Sequence, residues 1–139
     1  MGGYVQLKGA RELYEALSEM EPRLAKKVLR TALRNAARPI LAAAKANAPY
    51  QTGATRSQLK LRAMKRKKGR VGVIVQTGEG AYKGDVFYAS FAEWGTRHQP
   101  AKPFMRPAFD TNAVTSIGIA SAEIRVGVEA VANGLPKYK

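Results

Sequence analysis

Apolar residues first recur at helical spacing at Leu13, Leu17 and Met20, which predicts a helix of about three turns ahead of Pro22. A weak alternation over Tyr4, Val5, Gln6, Leu7 and Lys8 precedes it and predicts a short strand. From Pro22 the pattern sharpens. Leu24, Val28, Leu33, Ala36, Ala37, Ile40, Leu41 and Ala44 form one stripe at a period of about 3.6 in an Ala-rich stretch. Pro22 suits the first turn of this long helix and Ala48-Pro49 its end, whereas Pro39 predicts a kink or break near Ala36.

After residue 58 the period changes to two. Leu59, Leu61 and Ala63 alternate with Lys60, Arg62 and Met64, and Val71, Val73 and Val75 alternate with Gly72, Ile74 and Gln76. Residues 58–77 therefore read as a hairpin turning at Lys67-Lys68-Gly69-Arg70, with the Val-rich strand facing the core or central in the sheet. Gly78, Gly80 and Gly84 mark a linker, and Val86–Ala92 suits either a buried strand or one to two helical turns. Ala113, Ile117, Ala120, Ile124, Val128 and Val131 predict a last helix, ended by Asn133-Gly134 and Pro136. Its β-branched side chains, with Gly118 and Gly127, leave a strand open for residues 123–131. The expectation is an α+β fold in a single domain spanning 1–139. A small antiparallel sheet of about three or four strands, including the basic hairpin, packs on the long helix and a C-terminal helix.

Charge adds a second layer. The chain has 139 residues and a formal net charge of +14, which draws it toward polyanions or acidic protein surfaces. The excess is uneven: residues 49–80 hold eight basic side chains against one acidic, and residues 81–139 hold seven against five. Lys26, Arg30, Arg34 and Arg38 stand four residues apart on the long helix, and Lys65, Arg66, Lys67, Lys68 and Arg70 crowd the hairpin tip. Both sets read either as solvated faces or as surfaces that meet DNA or an acidic partner. With 45% apolar residues the chain is expected to fold, and no apolar run is long enough to cross a membrane.

Candidate chemistry is sparse. Cys is absent and His98 is the lone histidine, so spacing nominates no metal cluster, and no phosphate-loop or dinucleotide motif occurs. Glu93, His98 and Asp110 share one segment and are the one acid/base set worth naming, against a bland reading as turn and capping residues. No catalytic residue, cofactor or metal ligand is expected, and a binding or structural role is.

The segment Tyr88-Ala89-Ser90-Phe91-Ala92-Glu93-Trp94-Gly95-Thr96, followed by Pro103-Phe104-Met105-Arg106-Pro107-Ala108-Phe109, resembles a family signature. That signature, Y-A-x-F-x-E-(aromatic)-G-T with P-F-(apolar)-R-P-A, belongs to the gene-ten-product family of lambdoid tailed phages, which are neck and tail-completion proteins. Ala48-Pro49-Tyr50-Gln51-Thr52-Gly53 is similar to a second element of that family, with Ala54-Thr55-Arg56 standing where Leu-Arg is usual. The resemblance spans roughly residues 5–130.

It implies a non-enzymatic virion protein, made in the bacterial host cytoplasm, that forms a ring of about six copies at the head–tail junction. Its implied partners are other neck, connector and tail-tube proteins, with packaged DNA passing through the lumen. A sequence-independent nucleic-acid-binding protein is the alternative that the charge suggests. Within the signature, Gly95 suits a positive φ and the prolines stiffen the chain. Phe104 and Phe109 straddle the start of the last helix and are expected to staple it to the sheet. Trp94, Phe104 and Phe109 close the core on one reading; on the other, Trp94 and Phe104, with Thr96, Arg97, His98 and Arg106, present a surface to the next subunit.

Overall fold

A computed structural model describes residues 9–48, 53–65, 67–77 and 88–134. Helix α1 spans Ala10–Glu19 and α2 spans Pro22–Asn47. A short helix α3, Ala54–Gln58, leads into strand β1, Leu59–Ala63, which pairs antiparallel with β2, Val73–Thr77. Helix α4 covers Ala89–Trp94 and α5 covers Met105–Ala132.

The long helices α2 and α5 form the body, and they run antiparallel. At one end Val28 and Ala130 are buried together, with Leu17, Met20 and Val131 packed against them. At the other, Ala44 and Ala48 of the α2 end meet Leu59, Ala89, Phe104 and Ala108. The stripe that the periodicity marked on α2 supplies both clusters, since apolar area removed from water is what fixes a helix in place. Small residues line much of this contact, and close approach follows. A Cβ on Gly127 would lie 2.5 Å from Val28 Cγ1, so this glycine is where the two helices touch. Gly118 has no such reason, because a Cβ there would meet nothing within 4 Å.

Two expectations are corrected. Pro39 lies inside α2 and the helix continues to Asn47, so there is no break near Ala36. One lost hydrogen bond is outweighed by the packing of Leu41, Ala43 and Ala44 beyond it. Among the described residues the sheet has two strands instead of three or four. Residues 89–94 and 123–131, where the sequence left strand and helix open, are helical. The proposed strand at residues 4–8 and the Gly78–Gly84 linker lie outside the described residues.

The expected hairpin is present, with Leu59 opposite Thr77, Leu61 opposite Val75 and Ala63 opposite Val73. Its strands end sooner than the alternation suggests. Beyond Ala63, Met64 N–H still donates to Gly72 O at 3.0 Å, and Arg70 N–H donates to Lys67 O at 3.0 Å across a turn in which Gly69 has φ 74°.

Candidate functional site: a capped corner and a basic cleft

The chain between α4 and α5 makes a tight corner. Gly95 closes α4 by donating to Phe91 O at 2.9 Å, with φ 76° and ψ 174°, a conformation open essentially to glycine alone. A Cβ there would also lie 2.8 Å from Ala101 N. Thr96 Oγ1 accepts the N–H of His98 at 3.2 Å and of Gln99 at 3.1 Å, and Lys102 N–H donates to Ala92 O at 2.7 Å. These bonds fold residues 95–102 back on α4.

Glu93 then joins the corner to α5. Helix α5 starts at Phe104-Met105-Arg106, where no side chain at the N-cap can accept a hydrogen bond. The Glu93 carboxylate takes that place from eleven residues upstream. Its Oε2 accepts Phe104 N–H at 2.8 Å and Met105 N–H at 3.0 Å, and its Oε1 accepts Arg106 N–H at 3.2 Å. The Arg106 guanidinium adds a contact of 3.6 Å to Oε1. Burial on its own raises this carboxyl's pKa, but the three N–H donors and the Arg106 charge outweigh it and hold the group below the usual carboxylate range.

An acid/base set of Glu93, His98 and Asp110 is not assembled: Glu93 is 2% exposed and saturated with donors, whereas His98 and Asp110 are on the surface. Among the described residues, no group of three or more His, Asp or Glu could hold a metal ion.

The aromatic residues of the corner divide. Phe104 is fully buried in the α2–β1–α5 cluster, so it staples α5 as expected but offers no surface to another chain. Trp94 and Phe109 do not close the core, being 66% and 58% exposed. The Arg106 guanidinium lies 4.7 Å from the Trp94 ring centroid, and Thr96, Arg97 and His98 are exposed beside it. Five of the six expected interface residues are thus exposed at or beside the corner, and Phe104 is buried in the core.

The basic residues regroup. Lys26 and Arg30 of α2, with Arg23 and Lys27, form one wall of a cleft of about 710 Å³. Lys67, Lys68 and Arg70 of the hairpin loop form the other wall, with Val71 between them. None of the described residues lining the cleft carries a carboxylate. Arg34 and Arg38 are exposed but leave the cleft, because a four-residue step turns a side chain about 40° further around the helix each time. Lys65 is exposed outside the cleft, and Arg66 lies outside the described residues. The sequence placed two basic patches without showing that they face each other.

The comparisons with known proteins agree with the motif. The model of the HK97-gp10-like family, described as "Bacteriophage HK97-gp10, putative tail-component", matches residues 11–95. The chain belongs to this family and is a tail-related structural component of a bacteriophage virion. Comparison with curated proteins and with solved structures returns no match. The matched span holds α1, α2, the hairpin and α4 and stops at the corner glycine, short of the residues 5–130 that the motifs suggested. Among the described residues, no helix is long and apolar enough to cross a membrane.

Proposed function

We propose that the chain works at the head–tail junction as a non-enzymatic joining protein, in a closed ring of about six copies held by one repeated heterologous contact. The observation that carries this reading is the Trp94 patch. A tryptophan that is 66% exposed, stacked under Arg106 and mounted on a corner fixed by Glu93, is a preorganised anchor of the kind that dominates protein interfaces. Thr96, Arg97 and His98 rim it. Other neck, connector and tail-tube proteins are the further partners, and packaged DNA runs through the lumen of the ring.

The purified chain, alone and mixed with tail-tube and neck proteins, is expected to give closed oligomers by native mass spectrometry. Trp94→Ala removes little buried area, so it is expected to abolish assembly while leaving the thermal midpoint within a few degrees of the parent. A strict monomer under every condition, with no binding to any of those proteins, contradicts the reading.

A further inference from the structure

We infer that the cleft between α2 and the hairpin loop is a docking site for an extended acidic protein segment, rich in Asp and Glu with apolar residues between, supplied by a partner virion protein. The inference rests on the reading of the chain as a component that assembles with other virion proteins.

Lys26 and Arg30 on one wall face Lys67 and Arg70 on the other, and the described lining residues supply no carboxylate. Like charges gathered this way oppose folding, and a ring of about six copies, each carrying +14, multiplies the repulsion. A segment bearing carboxylates removes both costs at once. Arg30 and Arg70 offer planar forks that pair carboxylates bidentately.

The shape and lining of the cleft separate a peptide from nucleic acid. The cleft, at about 710 Å³, is within the range of sites that enclose a ligand or a few residues of chain, about 300–1,000 Å³. A single strand of nucleic acid gains about 1–3 kcal/mol per base by stacking on aromatic side chains. The described lining offers none, only Val71 and the aliphatic stems of lysine. Those surfaces suit apolar side chains spaced between carboxylates.

The test is fluorescence anisotropy at physiological ionic strength with three probes: a short oligoglutamate peptide with interspersed leucines, an oligothymidine of equal charge, and a short duplex. The peptide is expected to bind tightest. The pair Arg30→Glu and Arg70→Glu is expected to weaken it by at least about tenfold. The pair Arg34→Glu and Arg38→Glu, with the same change in net charge, is expected to weaken it by less than about threefold. Equal loss from both pairs overturns the inference, because the charge then acts diffusely. Tighter, cleft-dependent binding of oligothymidine or duplex overturns it in favour of nucleic acid. Native mass spectrometry on the same samples keeps the two readings apart. Peptide binding by a permanent monomer removes the ring and leaves the cleft, and rings without cleft-dependent peptide binding do the reverse.

Discussion

The corner at residues 93–106 and the cleft between α2 and the hairpin both concentrate polar groups, and they treat charge in opposite ways. At the corner, one buried carboxylate meets three backbone donors and a guanidinium, so the charge is satisfied within the chain. In the cleft, cations from two elements face one another across open space. A satisfied charge cluster organises the fold. Like charges drawn together with no carboxylate among the described lining residues work against the fold.

Substitutions in the two regions break or sharpen this contrast. Phe104→Ala should cost most, about 3–5 kcal/mol in urea unfolding, because it empties the junction of α2, β1 and α5. Gly95→Ala comes next at about 2–4 kcal/mol, since it combines a forbidden backbone conformation with a clash on Ala101. A change well under 1 kcal/mol would show that the corner yields easily.

Glu93→Gln should cost about 1–3 kcal/mol, because an amide offers one acceptor oxygen where three N–H groups converge. The cost depends on pH. The folded carboxyl sits below its ordinary value of about 4.3. The stabilisation is therefore complete above that value and is lost as pH falls through the lower, folded one. Parent and Glu93→Gln stabilities should converge in acid, and a gap independent of pH would mean that the ionised carboxylate is not the cap. The smallest expected effect is that of Arg30→Gln with Lys67→Gln, within about 0.5 kcal/mol of the parent or slightly stabilising.

Much of the frame was legible in the sequence. The α2 stripe and the two strands of the hairpin follow directly from period, because each of these elements buries one face. The helix at 123–131 was ambiguous for a specific reason: Gly127 lowers helix propensity locally, and only the position of Val28 on another helix shows that the glycine is there for contact. Pro39 allowed a break that does not occur, since the packing beyond it is not a local property.

At the corner, the motif pointed to the right residues but not to their division of labour. Trp94 and Phe104 look alike as aromatic residues, yet one is an exposed anchor and the other a core staple. The role of Glu93 had one faint signal, a long helix starting at Phe104 with no Ser, Thr, Asp or Asn to cap it. The cleft had none, because its walls are about 40 residues apart in the chain.

The claim that the corner's charge holds the fold while the cleft's charge does not is tested most directly by one side-by-side urea titration at neutral pH. The parent is compared with Glu93→Gln and with Arg30→Gln plus Lys67→Gln. The account predicts that the midpoint falls clearly for Glu93→Gln and stays or rises for the cleft pair. A cleft pair that loses as much stability as Glu93→Gln would contradict it, because those cations would then be part of what keeps the chain folded.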